Sequence, residues 1–217
     1  MNETNEPKES GRRMKVNVAR AQFAEKEKLQ AEQRLKMIRY AVAIGCIACR
    51  EKWNFGKQRL DRLVRGAYEE IFGYYEHYGG DPQTGMVPEN VPTLYYGIRN
   101  QVKCLDIPLE EIEVQYALKP EFKVWRNETD RMKRQVRYEE ELSMQMVTRA
   151  YWYGMVMFLW HAYGYGETVL TEFYRRVQEQ WKNVMDYYLQ CTPGSDVTVK
   201  KTIESGIRRI EDLGVRF

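Results

Sequence analysis

The chain has 217 residues, 43% hydrophobic and 30% charged, enough for a real core under a well-solvated surface and for one or two domains. A net charge of +3 is too small to mark a nucleic-acid binder by itself. The opening MNETNEPKESGRR lacks the apolar core of a secretory signal, and Cys46, Cys49, Cys104 and Cys191 do not form a disulfide framework, so a reducing cytoplasmic compartment is expected.

Residues 1–15 are polar and basic without an apolar anchor and are expected to be disordered. A long helix is predicted from Val16 to Trp53, polar at first and apolar from Met37. A second runs from Lys57 to Glu76, with Leu60, Leu63, Val64, Ala67 and Ile71 at helical spacing. HYGGDPQTGMVPENVP is a loop, Thr93–Cys104 a shorter helix, and PLEEIEVQYAL opens with proline at a helix-start position. Asn127 is the expected N-cap of another long helix, with Asp130 at its third position facing the first-turn amides. Its stretch Ala150–Tyr163 is apolar on nearly all faces, which predicts a central position in the fold and, with three glycines and a histidine by Gly166, not a membrane span. Helices Glu167–Leu189 and Val197–Leu213 close the chain, separated by CTPGSD.

WNFGKQRL at residue 53 and YGYGETVL at residue 163 raise the question of a repeat. Asn54 and Gly164 are the residue types that accept a left-handed backbone just past a helix, and Gly56 and Gly166 then open the next helix. The same register aligns YAVAIGCIAC with AYWYGMVMFL, and TLYYGIRNQVKCLDI matches TIESGIRRIEDLGV with nearly the same offset. The predicted fold is therefore all-α. It is a tandem duplication of a long helix, an αα corner, a second helix and a short returning helix, with residues 16–118 and 119–217 packed as a pseudo-twofold pair in one compact domain. Ala41, Ala43, Gly45 and Ala48 give the first long helix a narrow face that permits close approach.

No catalytic constellation stands out. Cys46 and Cys49 have metal-ligand spacing but lie in an apolar run without a second pair, and read as small core residues. His161 is expected to be hydrogen-bonded and partly buried. His77 should open a loop without a predictable carboxylate partner. Glu139, Glu140 and Glu141 are consecutive and point apart on a helix. No phosphate-binding loop, dinucleotide fingerprint or nucleophile elbow appears, so neither catalysis nor a metal or other cofactor is expected.

Binding is the better class. Arg59, Arg62 and Arg65 recur every three residues along the second helix, with Asp61 spaced to pair with Lys57 or Arg65. Arg131, Arg134 and Arg137 form a second cluster, and Trp125 and Tyr138 place aromatic rings beside it. Arginine and aromatic rings suit protein interfaces and phosphate contacts alike, so the partner is open between a protein or nucleoprotein complex and nucleic acid, with self-association also admitted.

Phe55, Gly56, Lys57, Arg59 and Leu60, after an apolar helix, resemble an aromatic-Gly-basic-x-Arg-Leu turn of small helical proteins of phages and prophages of Gram-positive bacteria. The resemblance covers about residues 38–63, and the second copy keeps Tyr165, Gly166 and Leu170 but has Glu167 and Val169 at the basic positions. It implies a mobile-element origin and no established activity. A protein of that kind is expected to act inside the host by occupying a surface of a nucleic-acid-handling or defence complex. Direct, largely nonspecific nucleic-acid binding and a virion or assembly role are the alternatives.

Overall fold

The computed structural model describes residues 32, 35, 37–77, 94–117, 124–190 and 196–215, and the chain divides into two compact units, Met1–Lys36 and Met37–Phe217. The expectations for residues 1–15, for the start of the first long helix, for the loop after His77 and for Cys191 lie outside the described residues. In the second unit, every regular element among the described residues is a helix. They are α1 (37–53), α2 (Lys57–His77), α3 (Leu94–Lys103), α4 (Leu109–Gln115), a 3-10 turn (Val124–Asn127), α5 (Arg131–Tyr163), α6 (Glu167–Gln190) and α7 (Asp196–Glu211). The all-α class is the one the sequence predicts.

The two corners are built alike. Asn54 and Gly164 both take left-handed backbone, with φ of 51° and 63°. In each, the amide at that position donates to the carbonyl four residues back (Asn54 to Arg50 at 3.0 Å, Gly164 to Trp160 at 2.9 Å). The next amide donates six residues back, Phe55 to Cys49 at 3.5 Å and Tyr165 to Leu159 at 3.4 Å. These bonds occupy carbonyls that a helix end otherwise leaves without partners. Gly56 and Gly166 then accept the first amides of α2 and α6, from Arg59 and Leu60 in one case and Val169 and Leu170 in the other.

Packing is reciprocal between the halves. The buried part of α5 lies on α2 and α3, while α1 lies on α6 and α7. Gly154 sits so close to α2 that a Cβ there would come within 3.0 Å of the Ala67 carbonyl. In α1, Gly45 lies against Met155, its own counterpart in the repeat register. Trp152 reaches across to donate from Nε1 to the Ala41 carbonyl at 2.8 Å, an approach that the small residues Ala41, Ala43, Gly45 and Ala48 allow. Leu60, Leu63, Val64, Ala67, Ile71 and Tyr74 form the buried stripe of α2. Each large aliphatic side chain there contributes on the order of 2 kcal/mol of apolar transfer. Descent from one doubled module is a further step, and the repeated corner and the reciprocal packing are what support it.

Two local expectations are corrected. The N-cap before α5 is Asp130, not Asn127: its Oδ1 accepts from Met132 N at 2.9 Å and Lys133 N at 3.2 Å, and the helix starts at Arg131. Asn127 instead ends the 3-10 turn that folds Trp125 onto Tyr138, with ring centroids 5.1 Å apart. Aspartate also brings a full negative charge to the positive end of the helix dipole, which asparagine does not. His77 is the second case: it closes α2 and does not open a loop.

Candidate functional site

α2 carries its buried stripe inward and turns three arginines outward. Arg59, Arg62 and Arg65 are all exposed. Arg59 holds its guanidinium 5.5 Å from the centroid of the buried Phe55 ring, a cation–π contact that fixes the side chain without neutralising it. Among the described residues none of the three has a carboxylate partner. The expected pairing of Asp61 with Lys57 or Arg65 is absent. Asp61 is half-buried beside α1, where its charge adds to burial in raising the Cys46 thiol's pKa. Lys57 lies along Gly214, its Nζ 3.1 Å from where a Cβ there would stand.

The matching positions on α6 are Val169, Glu172 and Arg175, and their charges are consumed internally. Glu172 accepts from Arg176 Nε at 2.9 Å and Arg175 at 3.3 Å, with Lys52 Nζ at 3.7 Å. Burial raises this carboxyl, but the Arg176 hydrogen bond and the three cations overcome it and hold its pKa below the ordinary glutamate value.

The second arginine cluster is a different kind of surface. Residues 131–139 are exposed all round, so the first turns of α5 stand clear of the core. Arg131 and Arg134 have no ion-pair partner among the described residues, while Arg137 lies 3.8 Å from Glu128. Trp125 is half-buried between Tyr138 and the Arg126 guanidinium, 5.4 Å from its ring. α2 packs on the far half of α5, around Gly154 and Phe158, so about 25 Å of helix separates Arg137 from that crossing. The structure does not bring the two arginine sets together. Asn54, Gly56, Gly164 and Gly166 shape the corners.

A buried polar centre was not foreseen. Glu113 on α4 accepts at Oε1 from Tyr153 at 2.6 Å and Tyr174 at 2.8 Å. Its Oε2 takes Arg99 at 3.2 Å and Arg149 at 3.4 Å. Gln178 donates to the Tyr174 hydroxyl at 2.9 Å. Burial, then the neighbouring phenol and the Glu113 charge, push Tyr153 far above the ordinary tyrosine value, and burial and Glu113 raise Tyr174. Burial alone would lower Arg99, but the Tyr153 hydrogen bond and the Glu113 charge outweigh it. With both phenols protonated and donating to one carboxylate, the cluster joins α3, α4, α5 and α6 and leaves no activated nucleophile. The signal for it was Glu113 itself, one turn after Leu109 on the buried side of α4, where an apolar residue belongs.

Both histidines line one open groove of about 620 Å³ between α2 and α5, with Phe158 and Gly66 on its floor. His161 Nδ1 is 2.7 Å from Glu70 Oε1, as a hydrogen-bonded reading requires, but its side chain is 48% exposed and not partly buried, because burial along α5 ends at Leu159. A second open groove of about 520 Å³ lies between Lys52, Trp53, Glu167 and Arg175. Cys46 and Cys49 are buried free thiols, and Cys104 is exposed. Among the described residues no three His, Cys, Asp or Glu side chains stand close enough to hold a metal ion, and no helix is long and apolar enough to cross a membrane. Comparison with protein-family models, with curated proteins and with solved structures returns no match.

Proposed function

We propose that the chain is a non-enzymatic binding protein of phage type. It acts in the host cytoplasm by occupying a surface of a nucleic-acid-handling or defence complex. The observation that carries this reading is the row Arg59, Arg62 and Arg65: three exposed guanidinium groups without carboxylate partners, on a helix whose other side is locked into the core. Arginine on an already ordered helix needs no backbone ordering on docking, and its planar fork suits carboxylate and phosphate acceptors equally. Exposed Trp160, near the end of α5, and Phe72 on α2 add apolar contact area of the kind that interfaces favour. Affinity capture from bacterial lysate with mass spectrometry tests it. The expected result is one partner recovered at near-stoichiometric amount; recovery of nothing reproducible contradicts it.

The same unpaired row favours one second reading, direct nucleic-acid binding. Three phosphate contacts give a log–log salt slope of roughly −2.7 on duplex DNA, reduced by about 0.9 for each arginine neutralised. Duplex binding that ignores salt, or no binding at all, removes this reading.

A further inference from the structure

Six positions of α2 form one exposed stripe: Gln58, Arg62, Arg65, Glu69, Phe72 and Glu76. They are spaced four and three residues in turn, which keeps them on one side of the helix for about 27 Å. Arg59 stands at its edge, over the Phe55 ring. The stripe changes sign along its length. The arginines occupy the half near the corner, and Glu69 and Glu76 occupy the other, with Phe72, 48% exposed, between them. Among the described residues neither glutamate has a cationic partner, and Arg65 and Glu69, one turn apart, do not close an ion pair.

We propose that this stripe docks a protein and not a nucleic acid. Its occupant is a partner surface that sets acidic side chains opposite Arg59, Arg62 and Arg65 and basic side chains opposite Glu69 and Glu76. Between them the partner offers an apolar socket for Phe72. The inference rests on the proposed function and selects the partner class at its site. A phosphate backbone carries one sign of charge along its whole length. Laid along α2, it would gain at the arginines and then meet two unneutralised carboxylates, on a face where three arginines stand against two glutamates. Only a surface that changes sign in step gains at both ends. Phe72 lies within the charged stripe and supplies the buried aromatic anchor around which protein interfaces concentrate their energy. Glu69 also borders the open groove between α2 and α5, which gives a basic side chain of the partner a recess beside the stripe. The other side of α2 is locked into the core, so the stripe keeps its alignment on docking.

Two opposite charge reversals separate the occupants. The full chain is used for capture from nuclease-treated bacterial lysate, with the captured protein quantified by mass spectrometry. A random-sequence DNA duplex and a single-stranded oligonucleotide serve as nucleic-acid probes. Arg62→Glu with Arg65→Glu should lower capture about tenfold, and so should Glu69→Lys with Glu76→Lys, since each sets like charges against the partner. On either nucleic-acid probe the second pair should instead raise whatever affinity wild type has. Phe72→Ser should lower capture about fivefold. Circular dichroism checks that each variant keeps its helix content and melting temperature, as solvent-facing positions should. Three results would overturn the inference alone: capture unchanged or strengthened by Glu69→Lys with Glu76→Lys, capture abolished by nuclease, or a stable dimer of this chain lost with the same substitutions in sedimentation equilibrium. Recovery of no protein by wild type would remove the proposed function with it.

Discussion

The starts of α2 and α6 follow the same corner on the same backbone, and they have opposite surface chemistry. On α2 three arginines face solvent with no carboxylate beside them; on α6 the matching positions hold a glutamate enclosed by Lys52, Arg175 and Arg176. A scaffold repeated in shape is thus not repeated in what it offers a partner. The cores differ in the same sense. Tyr153 and Tyr174, which hold Glu113, correspond in the repeat register to Ala43 and Val64, both buried among apolar neighbours. Where α5 and α6 meet α3 and α4 the core closes on a polar network, while the matching positions on α1 and α2 are small and apolar.

The corners give the largest test of that comparison. Phe55 is fully buried against Tyr163, with ring centroids 5.7 Å apart, and Phe55→Ala should cost about 3–5 kcal/mol in urea unfolding. Its counterpart Tyr165 is only half-buried and stacks on Tyr163 at 5.5 Å, so Tyr165→Ala should cost about 1 kcal/mol. Equal losses would mean that the two corners do not differ as described.

The polar centre comes next. Glu113→Gln leaves Arg99 and Arg149 without their shared charge and should destabilise by about 3 kcal/mol. The pH dependence has a definite sign. Tyr153 and Tyr174 hold their protons more tightly folded than unfolded, where the value is near 10.0. Stability from them is complete below that pH and falls as pH rises above it. Replacing both by phenylalanine should flatten the alkaline loss seen in denaturant unfolding; an unchanged alkaline slope would contradict the assignment.

The smallest effects lie in the corner backbones. Gly164 has open space around it, so Gly164→Ala meets only left-handed strain and should cost about 1–2 kcal/mol. Asn54→Gly at the matching φ should stay within about 0.5 kcal/mol of wild type, since relief of strain is offset by the looser unfolded chain.

The corners were legible because Asn54 and Gly164 are among the few residue types that accept positive φ, and the buried stretch of α5 from Ala150 to Leu159 because it is apolar on nearly every side. Asp130 and Asn127 are both favoured N-cap residues and the dipole separates them only modestly; the fold-back of Trp125 onto Tyr138 decides it. Glu113 was missed because its partners come from three other helices, and only packing brings them to one carboxylate. The fate of Asp61 was hidden likewise: spacing offered Lys57 or Arg65, but Asp61 is half-buried and pairs with neither, its charge acting on Cys46 of α1.

Matched charge reversal at the two helix starts tests the central claim most directly. Arg59, Arg62 and Arg65 changed together to glutamate alter the α2 row, and Lys52, Arg175 and Arg176 changed to glutamate alter the α6 cluster by the same total charge. Quantitative affinity capture is then compared with wild type. The α2 variant should lose the captured partner tenfold or more while the α6 variant keeps it. Equal recovery by both variants, or loss in the α6 variant alone, would contradict the account.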